Sequence, residues 1–383
     1  MSLTLNGVIK RDMENPEGKF PAEFDTYQVV NPGDFIFCMF DVEETPRAVG
    51  LSTYYGMITG AYTVLVPFKG NNKTFLYYFY LHLDSHKMMK PLYRGLRNTI
   101  PKEHFFSFKT YVPPLDEQTT IANFLDCKTA KIDQAVAIKE KQIQLLKERK
   151  QILIQDAVTK GLDPDVSMCD SGVEWIGEVP RHWGIKRFKY LFSQSNLPTR
   201  PDDGMVTSYR DGQVTLRSKR RLTGYTEAIL EQGYQGIRKG QLVLNSMDAF
   251  EGAIGVSDSD GKCTPEYVIC DPMLDDLLPE YFAFLLREMA LSKYIQVICN
   301  AVRQRAVRIR FNNLKKRFLI VPPIKEQKAI VSHIQTQSVK IDKAITIQEQ
   351  MIEKLKEYKA TLINSAVTGK IKVPGAGEQR AVA

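Results

Sequence analysis

The chain has 383 residues, 43% of them hydrophobic and 25% charged, with a net charge of +8 at pH 7. That is enough chain for two or three domains with packed cores. No apolar run approaches the roughly 18 residues of a membrane span, and MSLTLNGVIKRD has no apolar core of a secretion signal. Six scattered cysteines (Cys38, Cys127, Cys169, Cys263, Cys270, Cys299) with no C-x-x-C, and five histidines without ligand spacing, argue against a disulfide framework or a metal site. This composition predicts a cytoplasmic protein.

In chain order, residues 1–112 read as a first mixed globular domain. YQVVNPGDFIF (27–37) and GAYTVLVP (60–67) have the look of strands, and TFLYYFYLHL that of a helix. Residues 113–160 open on Pro113-Pro114, carry Asp116 and Glu117 in the first turn and stop at Gly161 and Pro164, the signature of one long helix. Residues 161–180 form a linker. Residues 181–321 read as a second mixed domain. Its strands fall in VTLRSKRRL, QLVLNSMD, AIGVS and YVICD, its helix over LPEYFAFLLREMALSKYIQVI, and FLIVPP returns as a strand. Residues 322–370 are a second long helix, followed by a tail over 371–383.

The two helices are copies. PPLDEQTTIANFLDCKTAKIDQAVAIKEKQIQLLKERKQILIQDAVTKGL starts at Pro113, and PPIKEQKAIVSHIQTQSVKIDKAITIQEQMIEKLKEYKATLINSAVTGKI starts 209 residues later at Pro322, with no gap and about twenty identities. Steps of four and three give one seam over Ile132, Val136, Lys139, Ile143, Leu146, Lys150, Leu153 and Ala157. The other runs over Ile341, Ile345, Gln348, Ile352, Leu355, Lys359, Leu362 and Ala366. The same two positions are polar in both, and polar seam positions select register and partner. The helices are expected to pair as an antiparallel coiled coil, each about 40 residues and roughly 60 Å long, a ruler between two domains.

The globular parts repeat in the same order. YQVVNPGDFIF answers YQGIRKGQLVL (234–244), GAYTVLVP answers PEYVICDP (265–272), TFLYYFYLHL answers PEYFAFLLRE, and RGLRNTIP (94–101) answers AVRQRAVR (301–308). The first half begins inside this pattern, without a counterpart of roughly 173–206. The fold class is therefore α+β, with two mixed α/β domains, two long helices and a pseudo-twofold internal repeat.

Lys and Arg are clustered. Between Met289 and Lys325 there is no acid, while Arg303, Arg305, Arg308, Arg310, Lys315, Lys316 and Arg317 crowd together. Such one-sign clustering is the footprint of a phosphate-backbone binder. Base reading needs Arg, Asn or Gln aimed at base edges. In the second domain the candidates are Arg210, Arg217, Lys219, Arg220, Arg221 and Asn245, with Arg303, Gln304 and Arg305 as a second region. In the first domain they are Lys10, Arg11, Arg94 and Arg97, with Tyr54 and Tyr55 beside them. Arg308 and Arg310 alternate with apolar residues as exposed strand positions would. Trp175 and Trp183 read as structural anchors. Asp202-Asp203 and Asp275-Asp276 read as solvated turn pairs, so no catalytic or metal residue is assigned.

These motifs resemble the specificity subunit of type I restriction–modification systems over nearly the whole length. They are the junction KGLDPDVSMCDSGVEWIGEVPRHW (160–183), the paired PPLDEQ and PPIKEQ, and NSMDAFEGAIGVS (245–257) followed by PEYV. The resemblance implies two target-recognition domains, each reading one half of a bipartite target in double-stranded DNA. It implies a coiled coil that fixes the spacer and docks two methyltransferase subunits, with restriction subunits joining the full complex. It implies no cofactor on this chain. S-adenosylmethionine, ATP and Mg²⁺ belong to the partners, as do adenine methylation and cleavage. The sequence agrees: VPPL and VPPI lack a methyltransferase tetrad, and no G-x-x-x-x-G-K-[ST] loop is present. The competing readings are the specificity half of an enzyme-fused restriction–modification protein, and a non-catalytic coiled-coil scaffold.

Overall fold

The structure, a computed structural model, describes residues 1–12, 14, 24–45, 47–220, 233–299 and 308–376. It divides into two compact units, one of Met1–Gln142 with Ile347–Ala383 and one of Ile143–Thr346.

The first unit holds β1 (Ser2–Thr4), β2 (Gly7–Ile9), β3 (Tyr27–Val30), β4 (Phe35–Phe37), β5 (Val49–Leu51), β6 (Gly56–Thr59), β7 (Thr63–Leu65), α1 (Lys73–Ser85), α2 (Lys102–Ser107) and the start of α3 (Leu115–Lys160). All its strand pairs are antiparallel: β1 with β2, β3 with β6, and β4 between β5 and β7. Strand side chains alternate between faces. Phe35 and Phe37 therefore enter the main core with Phe75, Phe79 and Leu83 of α1, whereas Ile36 enters a smaller core with Val8, Val30 and Ile58. Ile121, Ala122, Leu125 and Ile132 of α3 join the main core, where they meet Leu362, Ile363 and Ala366.

The second unit continues with β8 (Met168–Asp170), β9 (Glu178–Pro180), β10 (Gly184–Arg187), β11 (Phe192–Gln194), β12 (Val206–Ser208), β13 (Val214–Leu216), β14 (Gln235–Ile237), β15 (Leu242–Asn245), β16 (Ile254–Val256), β17 (Gly261–Cys263) and β18 (Tyr267–Pro272). Then follow α4 (Pro279–Leu291), α5 (Tyr294–Ile298), α6 (Phe311–Leu314), β19 (Phe318–Val321) and α7 (Ile324–Val367). Its pairing repeats that of the first unit: β12 with β13, β14 with β17, and β15 between β16 and β18. The alternation repeats too. Leu242 and Leu244 face the core of α4, and Val243 faces a small core with Val206, Ile237 and Ile269. Three pairings belong to this unit alone among the described residues: β8 pairs with β9, β11 adds to β18, and β10 pairs with β19.

The PP-x-x-EQ motif has a structural reason. Gln118 is buried, and its Oε1 accepts the backbone N–H of Asn72, the residue that caps α1, at 2.8 Å. Gln327 is buried too, and its Oε1 accepts the backbone N–H of Leu278, the cap of α4, at 2.8 Å. The two Nε2 groups donate to Pro113 O and Pro322 O, each at 2.8 Å. The glutamine serves the cap amide as the third residue of a capping box would, from a different helix.

The structure departs from the sequence reading in four places. The helix expected over 278–298 is broken at Lys293, whose φ is 64°. The strand expected in VTLRSKRRL ends at Leu216, and Arg217–Lys219 form a 3-10 turn. Residues 308–310 are not a strand, and Phe311 starts a short helix whose N-terminus Arg310 closes with Asn313. Asp203 is buried beside Arg238, with Nη1 at 3.2 Å from Oδ2, so it is no solvated turn residue.

Candidate nucleic-acid interface

In the second unit, β12 and β13 are joined by a loop carrying Tyr209, Arg210 and Asp211. Gly212 gives that loop a φ of 90°, in the left-handed region that glycine adopts freely. The loop rests on β16 so closely that a Cβ on Gly255 would lie 2.0 Å from Gly212 O. From below, Arg287 of α4 donates through Nη1 to Gly252 O at 2.9 Å and to Arg210 O at 3.3 Å. Burial lowers the Arg287 pKa, against the charges of Asp211 and Glu288. This arginine fixes the loop's backbone.

On that loop Arg210 Nη2 donates to Asp248 Oδ1 at 3.0 Å, and its Nη1 pairs with Glu251. Asn245 Nδ2 reaches the other oxygen of Asp248 at 3.3 Å. Asn245 is itself buried, and its Oδ1 accepts Met247 N–H at 3.1 Å, so it shapes the turn. Arg220 stacks over Tyr209 at 4.1 Å from the ring centroid and pairs with Asp211 Oδ2 at 2.7 Å. Burial works to raise the Asp211 pKa, but hydrogen bonds from Arg220 and Gln213 and the Arg220 charge bring it below its ordinary value. Lys219 Nζ lies 2.7 Å from Ser259 Oγ and 3.4 Å from Asp258. Arg217, on the same 3-10 turn, is half-buried with Nε 3.5 Å from Thr207 Oγ1. Arg221, Arg303, Gln304 and Arg305 lie outside the described residues.

The structure thus brings Arg210, Arg217, Lys219, Arg220 and Asn245 to one hairpin and its neighbouring turn. It also supplies acidic partners that sequence reasoning missed, because Asp248, Glu251 and Asp258 are distant in the chain. Exposed ion pairs contribute little and weaken with salt. They hold the cations in defined directions at little cost, and a phosphate can replace a carboxylate in each.

In the first unit Lys10 lies 5.2 Å from the centroid of Tyr54, and Tyr55 is exposed. Arg11 is half-buried. Arg94 and Arg97 flank a tight turn closed by the backbone pair of Arg94 and Thr99, with Gly95 and Asn98 at positive φ. The Arg94 guanidinium donates to Tyr93 O at 2.7 Å. Arg97 is exposed, and its carbonyl accepts Asp41 N–H at 2.8 Å. Leu96 at the tip is fully exposed. It lies between the two arginines, and only its exposure in the structure singles it out.

On the long helices Ile132, Ile341, Ile345, Ile352 and Leu362 are buried, and Val136, Ile143, Leu146, Leu153 and Leu355 are half-buried. In the second unit Lys150 Nζ meets Asp342 at 2.8 Å, and in the first Lys359 Nζ meets Asp133 at 2.6 Å. Each is the other's equivalent at the 209-residue offset. The polar seam lysines therefore face acids, not each other. Trp183 is buried and donates through Nε1 to Glu326 Oε2 at 2.9 Å; Trp175 is half-buried against Tyr294.

Among the described residues no group of three or more His, Cys, Asp or Glu side chains is placed to hold a metal ion, and no helix is long and apolar enough to cross a membrane.

Comparison with known proteins agrees with the motif reading. A family profile described as the type I restriction modification DNA specificity domain matches residues 54–148. The putative type I restriction enzyme MjaX specificity subunit of Methanocaldococcus jannaschii is 24% identical over 358 residues, 89% of this chain and 79% of that protein. The MjaVIII specificity subunit of the same organism is 23% identical over 332 residues, 81% and 74% of the two chains. A solved structure described as the basis of complex assembly and conformational transition of the type I R-M system contains a similar chain. It aligns with a TM-score of 0.62 at 13% identity, over 90% of this chain and 84% of that one, a likeness of fold.

Proposed function

We propose that this chain, which belongs with the specificity subunits of type I restriction–modification systems, reads a bipartite DNA target for enzymes carried on other chains. Each unit takes one half-site. The two long helices pair as an antiparallel coiled coil that sets the spacer and docks two methyltransferase subunits, and restriction subunits complete the nuclease. S-adenosylmethionine, ATP and Mg²⁺ are used by those partners.

The observation that carries this reading is the repetition of one scaffold with different surfaces. One hairpin, one further strand pair, a three-stranded sheet and the buried glutamine cap recur in both units, while the turns that carry charge differ: Arg94-Gly95-Leu96-Arg97 in one and Tyr209-Arg210-Asp211 with Lys219 and Arg220 in the other. Repeated scaffolds bearing unlike turns suit two unlike half-sites, since base contacts specify while the scaffold positions. The docking reading is supported by a second apolar row on α3. Ile138, Leu145 and Ile152 recur every seven residues and are all more than half exposed. Such a row fits a partner helix.

The test is co-expression with the neighbouring methyltransferase gene in a methylation-free host, followed by genome-wide mapping of methylated adenine. A split motif with one fixed gap is the expected result. Methylation at a single continuous motif, or none from a co-purifying pair, would overturn the bipartite reading.

A further inference from the structure

The second unit carries two kinds of basic surface. At the hairpin each cation faces an acid: Arg210 faces Asp248 and Glu251, Lys219 faces Asp258, and Arg220 faces Asp211. The second surface lies on the two-stranded sheet of β10 and β19, paired from Gly184↔Val321 to Arg187↔Phe318. The chain stays paired beyond it: Phe188 N–H donates to Arg317 O at 2.8 Å, and Lys189 N–H to Lys315 O at 3.3 Å. That pairing gathers Lys186, Arg187 and Lys189 beside Lys315, Lys316 and Arg317. Lys186, Arg187, Lys189 and Lys316 are exposed, and Lys315 and Arg317 are half-buried. Among the described residues no carboxylate forms an ion pair with any of the six.

Rings take the place of acids there. The Arg187 guanidinium lies 5.1 Å from the centroid of Phe318, and Lys189 Nζ lies 4.7 Å from that of Tyr190. A ring face steers a cation and leaves its charge in place, whereas a carboxylate cancels it. Ile185, Lys186, Arg187, Tyr190 and Phe318 line one shallow depression. Like charges gathered without acids repel one another, a cost that a bound polyanion removes. The surface is also continuous with the hairpin. Arg210 pairs with Asp248, and the neighbouring Met247 Sδ lies 3.9 Å from Nη2 of Arg308, which pairs with Glu266. Ile309 N–H donates to Ser246 O at 3.1 Å. Arg310 then opens α6, and Phe311 of that turn packs edge-on against Phe188 at 5.7 Å between centroids. Arg308 and Arg310 are exposed, so two further cations stand between the hairpin and the sheet.

We infer, on the DNA-reading role proposed above, that Lys186, Arg187, Lys189 and Lys316 hold the phosphate backbone of duplex DNA beside the base pairs under the hairpin. These cations read no base. They fix the register in which the hairpin meets its half-site, as phosphate contacts do. The apolar walls of the depression, Ile185, Tyr190 and Phe318, suit the sugar edge of a strand between phosphates. The occupant is DNA and not an acidic partner protein, because the basic track runs from the hairpin to the sheet through Arg308 and Arg310. Each phosphate held this way releases counterions, so this surface adds to the salt dependence of binding.

The test uses the full chain with its methyltransferase and a duplex carrying the target found by methylation mapping. Phosphate-ethylation interference and the salt dependence of binding are compared for the unaltered chain and for Lys186→Gln/Arg187→Gln/Lys189→Gln. The triple variant should lose interference at about two or three phosphates adjoining those lost in Arg220→Ala. Its slope of log K against log salt should be flatter by about two to three, and the methylated sequence should stay the same. Lys316→Gln, a single exposed change, should lose about one phosphate and keeps the test open should the triple variant melt early. An unchanged interference pattern and slope in both variants would overturn the phosphate site. The same result with loss of the co-purifying methyltransferase would overturn the choice of occupant in favour of an acidic protein surface. Failure of the unaltered complex to retain any duplex at low salt would instead overturn the DNA-reading role itself, and this site with it.

Discussion

Gln327 Oε1 lies 2.8 Å from the backbone nitrogen of Leu278, and this bond ties the first turn of α7 to the start of α4. The Leu278 N–H points out of the first turn of α4, and the glutamine oxygen is its partner. A buried donor left without a partner costs about 1–3 kcal/mol. Gln327→Ala is therefore expected to lower stability by that amount in chemical denaturation. Gln118→Ala should cost about as much, because it leaves the Asn72 N–H without its partner in the same way. No loss in either variant would argue against the capping account.

Gly255 is predicted to tolerate no side chain. Its Cβ would meet Gly212 O at 2.0 Å, and that atom is backbone. Gly255→Ala should push the Arg210 loop off β16, destabilise the unit by about 1–3 kcal/mol and weaken DNA binding together with it. A variant with wild-type melting temperature and wild-type DNA affinity would show that the loop is free to move.

Glu288 gives the second unit a pH dependence. Burial raises its pKa to about 7, against the opposing hydrogen bond from Gln151 and the charge of Arg287. The folded chain thus holds a proton that the unfolded chain has released above pH ~4.5. This contribution to stability is complete below that pH and declines as pH rises through 7. Glu288→Gln should leave stability nearly unchanged at pH 5 and raise it at pH 8, by on the order of 3 kcal/mol at most. Thermal melts at the two pH values decide it.

Arg220 is predicted to touch phosphate. Arg220→Ala should weaken DNA binding for specific and random duplexes alike and flatten the slope of log K against log salt by about one. A loss confined to one base of the target would make it a base reader instead.

The ruler reading predicts a change of spacer alone. Two heptads added to both helices, after Leu146 and after Leu355, lengthen the pair by about 21 Å. Methylation mapping should return the same half-sites with a wider gap, and an active variant with the old gap would remove the coil from spacer choice.

The long helices were legible because their signals are local. Pro-Pro, first-turn acids, a 4-3 apolar period and a terminal glycine all lie in the stretch they describe. The strand order of the globular parts was legible mainly because it occurs twice. What stayed hidden depends on residues far apart in sequence. Nothing near Asp203 announces Arg238, so a buried ion pair read as a surface turn. Nothing in ALSKYIQVI marks Lys293, which has neither the freedom of glycine nor the ring of proline, as the residue that takes positive φ. The basic residues after Leu216 were visible as charge, but their 3-10 turn and the acids that orient them come from packing against Asp258 and, across the hairpin, Asp211.

The two lysine–aspartate pairs have one further consequence. Lys150 meets Asp342 and Lys359 meets Asp133, while Asp133 and Lys150 lie on one helix and Asp342 and Lys359 on the other, at the same separation. Each helix thus carries both members of the pair it needs. In charge it is a palindrome. Laid head to tail against a copy of itself, either helix would find the same two partners that it finds in the other.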